Sequence, residues 1–269
     1  MLSHCGLEDD MELAQANPWL DAIIGGHTHT LVENPSETNG VLITQSGSHL
    51  KYATLVKLRV KDHKVIGKEA IVLDVNKVRK EKPEIKQLVN EFNDAPALNE
   101  PIAIAKTKFE SPEELGCLIT DALREVSGAD FAFQNTGGVR VNYMKKGPIT
   151  VKDVYSIDPF NNEVVVYQMT GAQVKRFILN TYRKNGGYPS YVSGMTYRVS
   201  DDGNTVWIND TNFSTRSLYR VAMNSYMAST VNIESEDEGQ STFMTSEEMM
   251  IEFLRKHKEV DYQGVVRTQ

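Results

Sequence analysis

The sequence predicts two folded regions in succession, a layered α/β region and then an α+β region. Three observations lead there. Helix and strand patterns alternate over residues 1–75, with turn chemistry between them. A stretch rich in Asp, Asn, Pro and Ala, from Asn93 to Pro101, then breaks the periodicity. Beyond it, three helix-start signals open amphipathic helices among β-rich runs.

Leu7 to Ala16 has helical apolar spacing and stops before Asn17-Pro18. Leu20 to Ile24 is a short apolar run ending on Gly25-Gly26, the pattern of a buried strand. Val41 to Gln45, Ala53 to Val60 and Val65 to Leu73 are β-rich, with a turn near Asp62-His63-Lys64, and together predict a sheet edge closing the layered region. Pro83 to Phe92 sets Ile85, Leu88, Val89 and Phe92 at helical spacing, with Pro83 suited to the first helical position. The expected division is a first region over 1–75, a connector over 76–105 and a second region over 106–269.

In the second region, Ser111-Pro112-Glu113-Glu114 has the capping-box pattern, and Leu115, Leu118, Ile119, Ala122, Leu123 and Val126 form one apolar face. A strand over Asp130 to Phe133 leads into the glycine-rich loop Asn135-Thr136-Gly137-Gly138-Val139-Arg140. Val164 to Met169 is a strand followed by the box Thr170-Gly171-Ala172-Gln173 and a helix with Val174, Phe177, Ile178 and Tyr182 inward, ended by Gly186-Gly187. The box Thr245-Ser246-Glu247-Glu248 starts a last helix with Met249, Met250, Phe253 and Leu254 inward.

Composition excludes several classes. With 40% hydrophobic and 24% charged residues the chain can build a core, which argues against disorder. A formal net charge of −7 argues against binding a nucleic-acid polymer, which needs a basic face, but allows a small anion held by a few local cations. Cys5 and Cys117 are too few for a disulfide framework or a cysteine zinc site. No apolar run reaches the length of a transmembrane segment. Met1 leads straight into polar Leu2-Ser3-His4-Cys5-Gly6 with no signal-peptide pattern, as expected of a chain entering in mid-domain.

His4, His27 and His29 fall within the first 29 residues. The last two lie in Gly25-Gly26-His27-Thr28-His29-Thr30, just past a predicted strand, where ligands of layered α/β folds gather. In an extended segment residues i and i+2 project to one side, so both imidazoles are expected to reach one metal cluster. Neutral imidazole suits zinc, manganese and iron, and the two glycines let the backbone turn close to an ion. His49, His63 and His257 are expected at the surface or at helix ends.

Leu2-Ser3-His4-Cys5-Gly6 with Ile23-Ile24-Gly25-Gly26-His27-Thr28-His29 resembles the last two metal-binding motifs of the calcineurin-like metallophosphoesterases. The resemblance implies two divalent metal ions, zinc, manganese or similar, with His4 and His27 on one and His29 on the other. Such a pair clamps a phosphate and activates water for in-line attack. The family's remaining ligands and its transition-state histidine belong to Asp-x-His, Gly-Asp and Gly-Asn-His-Glu motifs that precede these, and none occurs in this chain. No catalytic residue is therefore assigned here; those are expected upstream of Met1.

Residues 106–269 resemble the 5'-nucleotidase C-terminal domain. The matching pieces, in order, are Glu114 to Ala122, Asn135 to Arg140, Gly147-Pro148-Ile149-Thr150, Asp158-Pro159-Phe160-Asn161-Asn162, Thr170-Gly171 and Ser193-Gly194-Met195. The implied fold is the C-terminal part of a layered α/β metallophosphoesterase sandwich followed by an α+β nucleotide-recognition domain. A glycine-rich loop can offer backbone N–H groups to an anion, and an arginine at its end adds a planar fork suited to phosphate. The resemblance puts Asn135, Gly137, Gly138 and Arg140 on the nucleotide, with Phe160 and Tyr226 stacking on the base, each such contact worth roughly 1–3 kcal/mol.

Two positions depart from the family pattern. An arginine expected before the first helix of this domain is Ser111, and a Gly-Gly-Asp element that binds ribose is absent. Asn232 is the residue left to accept a ribose hydrogen bond, ahead of the acidic run Glu234 to Glu238.

The implied activity is metal-dependent hydrolysis of nucleoside 5'-monophosphates to nucleoside and phosphate. One alternative is a non-catalytic nucleotide-binding module needing a separate metallophosphatase half. Another is a related cyclic-nucleotide or nucleotide-sugar hydrolase, or a sulfur-oxidation enzyme. By resemblance the location is periplasmic, secreted or membrane-anchored.

Overall fold

The computed structural model describes residues 1–235 and 237–268, so Glu236 of the acidic run lies outside the described residues. The chain divides into two compact units, Met1–Leu88 and Val89–Gln269. No described helix is long and apolar enough to cross a membrane.

In the first unit, α1 (Leu7–Ala16) precedes β1 (Ala22–Ile24), β2 (Glu37–Thr38) and β3 (Val41–Thr44), the strands forming a sheet in the order β1-β3-β2. β1 runs parallel to β3, and residues 1–3 extend along the other edge of β1 through the parallel Leu2–Ile24 bridge. The core beneath is small: Ala14, Ile23, Val41 and Ile43, flanked by Leu7, Leu13 and Leu20. The chain leaves both Leu2 and Ile24 in the same direction, at the kind of strand edge where ligands of layered α/β folds gather.

β4 (Tyr52–Lys61) and β5 (Lys64–Asp74) form a hairpin joined by Asp62-His63. Both turn residues have positive φ, 52° and 62°, which matches the twist of the flanking strands as a two-residue hairpin loop requires. The sequence predicts these strands as an edge of the layered region. Instead they pair only with each other among the described residues, and apolar side chains such as Leu55, Val60 and Ile66 are exposed. α2 (Pro83–Asn93) spans the division between the units. It buries none of its residues, and Ile85, Leu88, Val89 and Phe92 all face solvent.

The second unit contains β6 (Pro101–Ala105), α3 (Pro112–Ser127), β7 (Phe131–Gln134), β8 (Gly147–Thr150), α4 (Val151–Ile157), β9 (Glu163–Thr170) and α5 (Gly171–Lys184). It continues with β10 (Tyr191–Ser193), β11 (Tyr197–Val199), β12 (Val206–Ile208), β13 (Leu218–Asn224), α6 (Ser225–Thr230), β14 (Gln240–Thr245), α7 (Ser246–His257) and β15 (Glu259–Val260). The main sheet has the order β10-β7-β13-β9-β14, with β7 and β13 parallel and the other pairs antiparallel. Strand alternation feeds two cores. Ala132, Val164, Val166 and Ala222 face a layer with α3 and α7, while Phe131, Phe133, Val221 and Met223 face α5 through Val174, Phe177 and Ile178. This mixed sheet with helices on both faces is the α+β arrangement expected.

The caps refine the expectations from sequence. Thr170–Gln173 and Thr245–Glu248 close as full capping boxes, and Thr150–Asp153 adds one that the sequence analysis does not single out. Ser111 caps α3 by accepting from Glu114 N. Glu114 does not return the bond, because its carboxylate accepts from Glu110 N at 2.6 Å and Gly264 N at 2.8 Å instead. Tertiary contact has taken over a local signal there.

Candidate functional site

In the first unit His4 and the Gly25–His29 loop follow the carboxyl ends of two adjacent parallel segments. Their rings meet: His4 and His27 have centroids 5.3 Å apart, edge to face. Gly26 makes room for this, since a Cβ there would come within 3.0 Å of His4 Nδ1. The loop is not extended, contrary to the expectation from sequence. His27 and His29 both have positive φ, 81° and 56°, and Thr28 N donates back to Gly26 O at 3.2 Å. The structure sets the His27 ring against that of His4, and all three histidines are exposed. Positive φ in two non-glycine residues is costly backbone that persists only where its surroundings enforce it.

Gln45 supplies much of that enforcement. Nearly fully buried at the end of β3, it donates from Nε2 to Gly26 O at 2.7 Å. Its Oε1 accepts from Thr28 Oγ1 at 2.9 Å and Thr30 N at 2.7 Å. Asp10 lies under the same loop, fully buried with neither carboxylate oxygen hydrogen-bonded, and a Cβ on Gly25 would overlap it. Among the described residues no group of three or more His, Cys, Asp or Glu side chains is gathered as a metal set. The paired imidazoles over a glycine cradle fit part of a divalent-metal donor set; the other donors are not among them.

In the second unit the Asn135–Arg140 loop leaves the carboxyl end of β7 in a single 3₁₀ turn, Thr136–Gly138. Gly138 is required by space: a Cβ would overlap Gln134 Nε2. Gly137 is not, since a Cβ would meet only Asn135 Nδ2 at 3.6 Å. Arg140 is anchored through its backbone, N to Ile157 O at 2.8 Å, and its guanidinium carbon sits 5.3 Å from the Phe160 ring centre. Phe160 is 46% exposed and Tyr226 48%, so neither ring is packed into the two cores of the unit.

Tyr226 rides on α6, capped by Asn224, whose Oδ1 accepts from Met227 N at 2.8 Å. Asn224 Nδ2 also donates to Asn135 Oδ1 at 2.9 Å, linking the Tyr226 helix to the glycine-rich loop. Asn135, Arg140 and Phe160 are thus brought together, and Tyr226 is tied to them through Asn224. Asn232 is exposed, and its carbonyl accepts from Asn180 of α5 at 2.9 Å.

Beneath Phe160 lies Asp158, fully buried. Burial pushes its carboxyl up to about 6; the Ser246 hydroxyl opposes this, the Glu247 carboxylate adds to it, and the Phe160 N–H and Gln134 amide oppose it. Sequence reasoning does not single out Asp158, Gln134, Asn224 or Gln45 as functional. For three of them a signal exists: a polar residue closing an otherwise apolar strand run marks Gln45 and Gln134, and Asn three residues before Met227 is a helix-cap pattern.

The family model of the 5'-nucleotidase C-terminal domain matches residues 96–232. The trifunctional nucleotide phosphoesterase protein YfkN of Bacillus subtilis strain 168 is 29% identical over 265 residues, covering 84% of this chain and 18% of YfkN. The uncharacterized metallophosphoesterase YunD of the same organism is 31% identical over 190 residues, covering 67% of this chain and 40% of YunD. The chain thus spans less than half the length of either relative. Among solved structures, a 5'-nucleotidase precursor from Thermus thermophilus superposes with a TM-score of 0.75 at 23% identity, over 99% of this chain and 62% of that one. The sulfate thiohydrolase SoxB of Thermus thermophilus superposes with a TM-score of 0.69 at 18% identity, over 99% of this chain and 53% of that one. At these identities the superpositions establish a shared fold. The chain belongs to the 5'-nucleotidase family.

Proposed function

We propose that this chain recognises a nucleotide as part of a metal-dependent hydrolase of nucleoside 5'-monophosphates. The observation that carries the reading is Phe160: a half-exposed ring beside an arginine and a glycine-rich loop, inside the segment that matches the family model. Arg140 lies on that ring at a cost in stacking surface, but an exposed cation–π contact is worth about 0.5–1 kcal/mol. A stacked base is worth roughly 1–3 kcal/mol, so a base can take the ring face and release the guanidinium to phosphate. Gly137, which its surroundings do not require to be glycine, leaves space for an anion to approach the backbone. Asn135 and Tyr226 complete the contacts, with Asn232 as the ribose acceptor.

The first unit contributes imidazoles. His4 and His27 would hold one divalent ion, with His29 toward its neighbour, and such ions supply Lewis-acid polarisation of the phosphoryl group and a nucleophilic water. What the chain's own residues do is fix the donors: Gln45 grips the loop and Gly26 lets His4 and His27 meet. YfkN is named a nucleotide phosphoesterase and YunD a metallophosphoesterase, in keeping with this chemistry.

The test is binding of adenosine 5'-monophosphate to the chain and to its Phe160→Ala variant. The variant should bind roughly 5- to 150-fold more weakly, the equivalent of about 1–3 kcal/mol, while binding inorganic phosphate unchanged. Equal losses on both ligands would refute base stacking. A second reading, a binding module whose catalysis needs donors from a separate polypeptide, is favoured by the gathering of only two imidazoles among the described residues. Release of phosphate from adenosine 5'-monophosphate by this chain with added Mn²⁺ would rule it out.

A further inference from the structure

The three segments that present Asn135, Phe160 and Tyr226 come from different parts of the second unit, yet their roots meet in one buried network. Gln134, Asp158, Asn224, Ser246 and Glu247 are all fully buried. Asn224 Nδ2 donates to Gln134 Oε1 at 2.8 Å and to Asn135 Oδ1 at 2.9 Å, and Asn224 Oδ1 caps α6. Gln134 Nε2 donates to Asp158 Oδ2 at 3.4 Å, and Ser246 Oγ donates to the same oxygen at 2.8 Å. Asp158 Oδ1 accepts from Phe160 N at 3.4 Å, and Glu247 Oε1 accepts from Asn161 N at 2.7 Å.

The network has a direction. An ionised carboxylate can only accept, so Asp158 turns the Gln134 amide with its NH₂ inward. Gln134 Oε1 must then face Asn224, which fixes the Asn224 NH₂ toward Gln134 and Asn135. That leaves Asn224 Oδ1 for the amino end of α6. One acceptor beneath Phe160 thereby sets the hydrogen-bond polarity under Asn135 and Tyr226 as well. Gly138, pressed on Gln134 Nε2, brings the glycine-rich loop onto the same support.

We propose that Asp158 is a positioning residue for nucleotide binding, acting through Gln134 and Asn224 to hold the Asn135 loop, the Phe160 loop and the start of the Tyr226 helix as one coupled site. This rests on reading the second unit as a nucleotide site. Asp158→Asn keeps the shape but not the polarity: whichever way the new amide turns, its NH₂ faces either the Phe160 N–H or the Gln134 NH₂, neither of which can accept. Asn224→Asp keeps the cap on α6 and removes the donor to Gln134 and Asn135.

The experiment is calorimetric titration of the whole chain with adenosine 5'-monophosphate, comparing the unaltered protein, Asp158→Asn, Asn224→Asp, Phe160→Ala and the Asp158→Asn/Phe160→Ala double variant, with circular dichroism confirming folding. Asp158→Asn and Asn224→Asp should each weaken binding by about tenfold or more. The double variant should bind little worse than the weaker single, because the two residues act as a unit. If both polar variants fold and bind as the unaltered chain, or if the losses of the double variant multiply, the proposal is overturned while nucleotide recognition stands. If Asp158→Asn does not fold, Asn224→Asp alone decides by the same criterion. Absence of binding by the unaltered chain overturns the nucleotide reading and this proposal together.

Discussion

Under the Gly25–His27 loop of the first unit lies a carboxylate, Asp10, with neither oxygen hydrogen-bonded; under the Asn135 loop of the second, Gln134, Asn224, Asp158 and Ser246 are joined by hydrogen bonds. The surroundings differ in the same sense. The second unit packs two cores against both faces of its sheet, whereas the first has one small core and leaves Leu55, Leu58, Val60 and Ile66 of its hairpin, with Ile85 and Leu88, exposed. A satisfied network in a filled unit specifies one geometry. A site resting on left-handed histidines and an orphaned carboxylate depends more heavily on the few contacts that hold it, chiefly Gln45.

The contrast can be broken in stages. The largest expected effect is at Gly138, where a Cβ would overlap an amide that cannot swing away without leaving Asp158. Gly138→Ala should cost about 2–3 kcal/mol in urea unfolding and weaken nucleotide binding, while Gly137→Ala should leave stability within about 0.5 kcal/mol. Equal stability of the two variants would mean that the network does not press on the loop.

Asp158 gives a pH test of comparable size. Its carboxyl is raised to about 6 in the folded chain, against about 3.9 for an unperturbed aspartate. Between those values the folded state binds more protons than the unfolded state, so this group's contribution to stability falls as pH rises from about 4 to about 6. The change is on the order of 2–3 kcal/mol, and comparing the chain with Asp158→Asn across that window should isolate it. No difference in slope between them would place Asp158 in a more solvated setting than the structure shows.

The smallest effect is expected in the first unit. Removing a buried acceptor that has no partner should be nearly neutral or stabilising by about 1 kcal/mol, so Asp10→Ala is predicted not to lower the thermal midpoint of the chain. A clear loss of stability would show that Asp10 has a partner in solution and would erase the contrast between the two units.

Much of this is legible in the sequence because it is local. Leu7–Ala16 and Pro83–Asn93 follow apolar spacing, and the Thr170 and Thr245 caps follow from residues three apart. Phe160 stands half-exposed rather than packed in either core. What is not legible is long-range. Glu114 abandons its capping box for Gly264, 150 residues away, and Asn224 reaches Gln134 and Asn135 across about a third of the chain. The extended reading of His27-Thr28-His29 fails for a related reason: Gln45, just past β3, bends that loop by taking three of its polar groups.

The central claim is that the second unit recognises a nucleotide through its base. The direct measurement is competitive titration of the chain with adenosine 5'-monophosphate and ribose 5-phosphate, which share sugar and phosphate and differ in the base. Stacking on Phe160 predicts roughly 5- to 150-fold tighter binding of the nucleotide. Equal affinities would show that the unit holds only the sugar phosphate and would contradict the account.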